Sequence, residues 1–217
     1  PGDMVEHLLP TTSAFLEADV ASRIAHMRAP RWIGHPGASA AHVAMQQLLE
    51  RPSSLRPRGL LLAGPYHNGK TMIAERFAVE HLRRADRQRV WVIQTREGAG
   101  LSHFYASILS GLRAPQAAGW RSLSRASEQV DHLLDSLKPR LLIFDEFHSA
   151  LRGRRQDVKA IFSFLRRIAR VHDISPVLVG EIAVYDALHD TEEMGSRFDT
   201  VAVPRWGFDE DFATLLD

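Results

Sequence analysis

The stretch that most constrains the fold is Gly59–Phe77, which reads GLLLAGPYHNGKTMIAERF. An apolar run, a glycine-rich loop from Gly64 to Gly69 and an amphipathic pattern follow one another, which predicts a buried strand, a turn and a helix. The spacing is G-x-x-x-x-G-K-T, in the strand–loop–helix context in which this motif binds phosphate. A chance glycine-rich turn is the alternative. The second motif described below argues against it, so the sequence predicts a nucleotide-binding loop.

The residue types in this loop fit the chemistry of a bound triphosphate. Gly64 and Gly69 permit a backbone whose N–H groups point at phosphate oxygens, and the following helix N-terminus also favours an anion. Lys70 supplies a positive charge for the β- and γ-phosphates, and the Thr71 hydroxyl is placed to bind Mg²⁺. We therefore predict that the following residues bind the nucleotide: Gly64, Pro65, Tyr66, His67, Asn68, Gly69, Lys70, Thr71 and Met72.

A second motif lies downstream, where the apolar run Leu141–Phe144 leads directly into Asp145 and Glu146. In P-loop ATPases the first acid holds Mg²⁺, usually through water, and the second polarises the water that attacks the γ-phosphate. We predict these roles for Asp145 and Glu146, with Lys70 as a further catalytic residue. An acidic turn after a strand would be the alternative if the upstream loop were absent. Glu146 favours hydrolysis over binding alone, because a binding module needs no general base.

Strands and helices alternate along the chain. Alternation at this spacing predicts an α/β fold, a three-layer αβα sandwich with a central parallel sheet that binds ligand at the carboxyl ends of its strands. We expect an N-terminal extension over residues 1–55, packed on an ATPase core over residues 56–217. Strands are predicted at residues 60–63, 90–93, 140–144, 176–180 and 200–203. Helices are predicted at residues 14–27 (capped by Thr12 or Ser13), 38–50, 72–84, 101–112, 124–137, 158–170 and 182–189.

Composition agrees with an ordinary globular protein. The 217 residues are 45% hydrophobic and 24% charged, contain no cysteine and include no apolar run long enough to cross a bilayer. Disulfides, thiolate metal sites and a cysteine nucleophile are therefore excluded, and we expect a cytoplasmic protein without membrane partners. The net charge of +1 hides an asymmetry, since residues 151–170 carry seven basic side chains and one acid, whereas residues 181–217 carry ten acids and two basic side chains. Such a division suits a polyanion partner or head-to-tail assembly, although a solvated face is equally compatible.

Arg197 is a further catalytic candidate. It lies within Ser196-Arg197-Phe198, after a polar stretch and before a predicted strand. An arginine there can reach the γ-phosphate of a neighbouring subunit and neutralise transition-state charge. A surface arginine paired with Asp199 or Glu193 is the alternative, and position alone leaves both readings open.

These motifs in this order resemble an AAA+ ATPase and, more narrowly, the TniB/TnsC group of transposition ATPases, which is related to MuB. The resemblance spans nearly the whole chain, and its specificity comes from the ordered combination rather than from the phosphate loop alone. The matching stretches are Leu8-Leu9-Pro10, Arg31-Trp-Ile-Gly, Arg56 through Gly64, Asn68-Gly-Lys-Thr-Met-Ile, Phe144-Asp-Glu-Phe-His, and Val179-Gly-Glu through Ser196-Arg-Phe to Pro204-Arg-Trp.

The resemblance implies a bacterial, nucleoid-associated regulator that forms a homo-oligomeric ring or filament on duplex DNA with ATP and Mg²⁺. It further implies that this regulator recruits or activates a DDE transposase and is itself recruited by a target-selection protein. It assigns the arginine-finger role to Arg197. Two other functions stay open: an AAA+ ATPase with another client, such as a replication loader or a secretion-associated ATPase, and a nucleotide-gated DNA scaffold that scarcely hydrolyses.

The chain departs from the family pattern at two points. The sensor position after the fourth strand usually carries Thr, Ser or Asn, but here Gly180 is followed by Glu181. A carboxylate near the γ-phosphate would repel it, so we expect altered sensing or slow hydrolysis. We also expect the helical lid that normally follows the core to be absent or truncated, since the sequence stops at Asp217.

Two basic groups are candidates for the phosphate backbone of DNA, which would be bound with little base reading. The first contains Arg96, His103, Arg113, Arg121 and Arg125, and family analogy favours it. The second contains Arg152, Arg154 and Arg155 with Lys159, and it would serve DNA binding or subunit contacts. Near the N-terminus, Trp32 and Ile33 are candidates for packing on adenine, with a buried core tryptophan as the alternative.

Overall fold

The computed structural model describes residues 10–29, 32, 34–53, 57–84, 88–98, 100–114, 122–190 and 192–207. These residues divide into two compact units: one runs up to Pro36 and resumes at Arg205, and the other is Gly37–Pro204. Residues 37–53 thus group with the sheet, and the functional boundary predicted after residue 55 stays a prediction. None of the described helices is both long and apolar enough to cross a membrane.

A parallel sheet forms the centre of the larger unit. Among the described residues its five strands stand in the order β2-β3-β4-β1-β5, and every neighbouring pair is parallel. The chain order therefore switches beside β1, which lies between β4 and β5, and such a switch point opens a crevice for ligands. The strands are β1 (Gly59–Ala63), β2 (Val90–Gln94), β3 (Leu141–Asp145), β4 (Ser175–Gly180) and β5 (Phe198–Ala202).

Helices precede the sheet and connect its strands. Apart from α9 and the 3₁₀ helix, which were not predicted, the helices that connect strands agree with the predicted ones to within three residues at either end. The helices are α1 (Pro10–Ser13), α2 (Val20–Arg28), α3 (Pro36–Glu50), α4 (Lys70–Arg84), α5 (Leu101–Gly111), α6 (Leu123–Leu137), α7 (Arg155–Val171), α8 (Ile182–His189) and α9 (Glu192–Gly195), with a 3₁₀ helix at Phe147–Arg152.

Both faces of the sheet are covered, which confirms the three-layer αβα arrangement. Successive residues of a strand point to opposite faces, and in β1 the two sets join different parts of the core. Leu61 belongs to a cluster formed with the apolar faces of α5, α6, α7 and α8. Leu60 and Leu62 are equally buried but lie outside that cluster, on the face where Ile73 and Phe77 of α4 are buried. This core holds the carboxyl ends of the strands in fixed positions.

The helix predicted over residues 14–27 is present only from Val20, so its predicted start is wrong. Residues 14–17 form turns, and α2 begins only at Val20 because Asp19 caps it. The Asp19 carboxylate accepts hydrogen bonds from the Ser22 N–H at 3.0 Å and from the Ser22 hydroxyl at 2.6 Å, which lower the pKa of Asp19. A short acidic side chain that binds the backbone three residues later starts a helix rather than continuing one. The cap is thus Asp19, and neither Thr12 nor Ser13.

Candidate nucleotide-binding site

The predicted phosphate loop lies at the carboxyl end of β1. It runs from Gly64 to the start of α4 at Lys70, and the Gly64 N–H donates to the Gly180 carbonyl at the end of β4, at 3.2 Å. A Cβ on Gly64 would collide with the carbonyl oxygen of Val203, just past β5. Only glycine lets the loop start this close to the neighbouring backbone. The loop is therefore seated between the ends of β4 and β5.

The side chain of Asn68 anchors the loop from within. Its amide is buried, at 5% exposure, and its nitrogen donates to the carbonyl oxygens of Val203, at 2.7 Å, and Pro204. His67 and Gly69 on either side have positive φ angles of 56° and 76°, which turn the backbone back over the loop. The sequence predicted Asn68 as a nucleotide contact, and the structure adds its bonds to the segment after β5.

Lys70 lies near three carboxylates, those of Asp145, Glu146 and Glu181. Its ammonium group donates to the Pro65 carbonyl of its own loop at 2.5 Å. Burial lowers the pKa of Lys70, and the negative charges of Glu146, Asp145 and Glu181 oppose that shift. The acids after β3 and the acid after β4 thus lie within electrostatic range of the phosphate-loop lysine, as expected where parallel strands end together.

Asp145 is held rigidly at the end of β3. It is 1% exposed; its Oδ1 accepts from the Glu146 N–H at 2.9 Å, and its Oδ2 accepts from the Gln94 amide at 2.9 Å. Gln94 is the register partner of Asp145 at the end of β2. Sequence reasoning missed Gln94, although a polar residue that ends an apolar strand is a usable signal. Both carboxylate oxygens are therefore oriented before any ligand binds.

Glu146 belongs to a group of four side chains whose association the sequence did not predict. This group is named here the glutamate–histidine cluster: Tyr66, Glu146, His148 and Glu181. The His148 Nδ1 lies 3.2 Å from Glu146 Oε2 and 3.3 Å from Glu181 Oε1. A hydrogen bond to Glu181 raises the pKa of Tyr66, and the Tyr66 and His148 rings meet edge to face at 5.7 Å. The carboxylate at the sensor position is thus in contact with two potential donors.

Of the remaining loop residues, Thr71 is half-buried in the first turn of α4, and Met72 is exposed. Trp32 is half-buried in the smaller unit, so its predicted contact with adenine stays a prediction. Some of the residues named in the sequence analysis lie outside the described ones. They include Ile33 and Arg121, and Leu8, Leu9 and Arg31 of the two N-terminal stretches that carry the resemblance.

Arg197 lies at the opposite edge of the sheet from the phosphate loop. Its carbonyl accepts from the Gly59 N–H at 2.9 Å, at the start of β1, whereas the loop follows the end of that strand. Five residues of strand separate Gly59 from Gly64, which is roughly 17 Å. Arg197 therefore cannot reach a phosphate bound to its own loop. Asp199, one of the two acids considered as its partner, pairs with Arg58 at 2.8 Å.

Other arginines surround Arg197. A pocket of about 330 Å³ is lined by Ser163, Arg166, Arg167, Arg170 and Arg197. Arg167 pairs with Asp131 at 2.7 Å, so part of the positive charge is balanced within the chain. The guanidinium groups of Arg166, Arg170 and Arg197 also line the pocket. Such a set of donors can bind a phosphate or a carboxylate.

Parts of the two basic groups predicted to bind DNA lie next to each other in the structure. A Cβ on Gly153 would lie 3.1 Å from the Gly100 nitrogen, so the segment after the 3₁₀ helix touches the loop after β2. In that loop, a Cβ on Gly98 would lie 2.5 Å from the His103 ring. The described members of both groups are exposed: Arg96, His103, Arg113, Arg125, Arg152, Arg154, Arg155 and Lys159.

Arg152 also approaches the nucleotide loop. The rise in the pKa of Tyr66 that Glu181 causes is opposed by the positive charge of Arg152. Arg96 is directed toward α5, where its guanidinium donates to Ser110 at 3.1 Å. The basic segment around Arg152 is thus next to the candidate active site.

Three solved structures are similar in fold at low sequence identity. Cdc6p from Pyrobaculum aerophilum is 16% identical, has a TM-score of 0.56, and is matched over 87% of this chain and 48% of its own. The Aeropyrum pernix ORC1 protein in complex with DNA is 15% identical, with a TM-score of 0.65 and coverage of 82% and 47%. AMPPCP-bound DnaA from Aquifex aeolicus is 16% identical, with a TM-score of 0.52 and coverage of 79% and 48%.

This chain spans about half the length of those structures, which share the P-loop AAA+ fold. The comparison with curated proteins gave no match. The model of the family described as Bacterial TniB protein matches residues 23–208, which include the phosphate loop, both acids and Arg197. The chain therefore belongs to the TniB family.

Proposed function

We propose that this protein is a Mg²⁺-dependent ATPase that oligomerises on duplex DNA and regulates transposition by recruiting or activating a DDE transposase. The observation that carries the ATPase part is the placement of Lys70 among Asp145, Glu146 and Glu181, at the end of a phosphate loop seated between strand ends. Membership of the TniB family supports the transposition part. We expect the protein in the bacterial cytoplasm, on the nucleoid.

The chain offers a donor set that fits Mg²⁺. The Thr71 hydroxyl and the Asp145 carboxylate are hard oxygen ligands of the kind that Mg²⁺ prefers, and Mg²⁺ usually keeps several waters beside one or two such groups. When bound, the ion would neutralise charge on the β- and γ-phosphates. The two hydrogen bonds to Asp145 fix its carboxylate in one orientation, and Lys70 would leave the Pro65 carbonyl to contact phosphate.

Glu146 is the residue we propose as general base. Its side chain is 48% exposed, directly after the buried Asp145, so it can meet both water and a bound phosphate. Replacing Glu146 by Gln should lower kcat by about a hundredfold or more and leave nucleotide affinity nearly unchanged. Glu75→Gln on the exposed face of α4 is the matched control and should behave as wild type. Equal, negligible rates in wild type and Glu146→Gln, with and without DNA, would favour the nucleotide-gated scaffold instead.

Arg197 is proposed to act in trans, because it lies at the opposite sheet edge from its own loop. A mixing experiment tests this directly: Lys70→Ala subunits lack nucleotide, and Arg197→Ala subunits lack the finger, so each alone should be inactive. Mixed, they form interfaces with one intact loop and one intact arginine, and part of the hydrolysis should return. Arg58→Ala, which removes an exposed guanidinium that pairs next to Arg197, serves as the control. Activity of Arg197→Ala alone at the wild-type rate would contradict a role in trans.

Assembly on DNA is best tested by electron microscopy of the protein with linear duplex DNA, comparing ATP, ADP and no nucleotide. We expect rings or filaments on DNA with ATP alone. Adding the purified transposase to such assemblies should retain it only when DNA and ATP are both present. A protein that stays monomeric and off DNA in every state would favour an AAA+ ATPase with another client.

A further inference from the structure

We propose that His148 is a positioning residue that orients the Glu146 carboxylate by donating its Nδ1–H, and that Glu181 and Tyr66 control how available this N–H is. The inference rests on the proposed ATPase function, since it concerns the same site. It adds His148 to the residues of the site and makes the orientation of Glu146 depend on Glu181 and Tyr66.

The position of His148 carries the inference. The 3₁₀ helix that follows Glu146 places the imidazole under the strand ends, where its side chain is 12% exposed. The Nδ1 atom stands between two carboxylates, at 3.2 Å from Glu146 and 3.3 Å from Glu181. Nδ1 and Glu181 Oε1 are both buried without an aligned hydrogen bond, so neither contact has reached full hydrogen-bond geometry. The imidazole is therefore shared between the two acids.

The tautomer follows from the surroundings. Ionised carboxylates accept hydrogen bonds and cannot donate them, so an Nδ1 atom that faces two of them must carry hydrogen. One N–H bond makes a strong hydrogen bond with one acceptor at a time, because the bond weakens steeply away from linearity. Glu146 and Glu181 thus compete for a single donor. Among the described residues, no group of three or more His, Asp or Glu side chains is placed to hold a metal ion.

Tyr66 shifts this competition. Its hydroxyl donates to Glu181 from the phosphate loop. A carboxylate that already accepts this bond competes less for His148, which leaves the imidazole N–H to Glu146. Because Tyr66 belongs to the loop that would hold the nucleotide, the orientation of the general base is tied to the state of that loop.

The arrangement also resolves the problem of a carboxylate at the sensor position. Glu181 is 24% exposed as a side chain and faces the Tyr66 hydroxyl and His148. Donors on both sides would partly neutralise its negative charge and so weaken its repulsion of a γ-phosphate. In the proposal, Glu181 acts chiefly through His148.

The first test compares two replacements of His148. Asn carries a donor close to the position of Nδ1, whereas Leu keeps an apolar body and carries none. We expect His148→Leu to lower kcat about tenfold or more while nucleotide affinity and KM stay within about twofold, and we expect Asn to restore most of kcat. His132→Leu on the exposed face of α6 is the matched control. Equal loss in the Asn and Leu variants, or none in Leu, would overturn the inference.

The second test uses the competition between acceptors. Tyr66→Phe frees Glu181 to take the imidazole N–H, so kcat should fall. Glu181→Gln offers a weaker acceptor and should recover kcat in the double variant. A purely structural role of Tyr66, or a direct contact with nucleotide, predicts no such recovery.

The third test does not depend on hydrolysis. Nitrogen NMR of the nucleotide-free protein, with His148→Asn used for assignment, should show His148 protonated at Nδ1. A bare Nδ1 would overturn the inference even if the protein were an active ATPase. A protonated Nδ1 in a protein without turnover would instead leave the cluster intact and refute the proposed enzyme function.

Discussion

Asn68 offers a direct measure of how firmly the phosphate loop is held. Its amide nitrogen donates to the carbonyls of Val203, at 2.7 Å, and Pro204, and the side chain is 5% exposed. Asn68→Ala removes both bonds and leaves two backbone acceptors without this donor. A buried polar group that loses its partner costs about 1–3 kcal/mol. We therefore expect the free energy of unfolding to fall by about 2–3 kcal/mol, with one of the two carbonyls regaining a water.

Asn68→Asp should be more damaging than Ala, because it places an acceptor of the same shape against two carbonyl oxygens. Urea unfolding of the nucleotide-free protein, followed by tryptophan fluorescence, measures both changes. Gln47→Ala removes an amide from the exposed face of α3 and should stay within about 0.5 kcal/mol of wild type. If the free energy of unfolding of Asn68→Ala stays within that same margin, the anchoring role is refuted. If Asn68→Asp and Asn68→Ala lose the same free energy of unfolding, the importance of the donor is refuted.

Two further predictions concern packing and pH. Gly64→Ala should lower the free energy of unfolding by about 1–3 kcal/mol, because its Cβ would collide with the carbonyl oxygen of Val203, whereas Gly34→Ala, with its nearest atom at 3.8 Å, should be neutral in the same urea assay. Burial would raise the pKa of Asp173, but hydrogen bonds and the charge of Arg51 hold it below its ordinary value. The carboxylate therefore stabilises the fold above the unfolded pKa and loses this effect as the pH falls through the folded one, so Asp173→Asn should destabilise less at pH 2.5 than at pH 7.

The phosphate loop, the five strands and the helices between them were predictable from sequence because their signals are local. A run of apolar residues that ends in glycine, or a stripe at helical spacing, reports the burial of its own segment. Where a short polar side chain intervened, as Asp19 does before α2, the local signal was ambiguous and the predicted start of the helix was wrong. The 3₁₀ helix and α9 were missed because elements this short have too few residues to display a period.

By itself, the sequence determined the chemistry of the site: a lysine and a hydroxyl after a glycine loop, and two acids after a strand. Only the tertiary structure decided how His148 and Glu181 join that chemistry, since Tyr66, Glu146 and Glu181 belong to segments far apart in the chain. It likewise decided that Arg197 lies at the wrong edge for its own loop. The physical reason is the parallel sheet, which gathers the carboxyl ends of distant strands at one edge and the amino ends at the other.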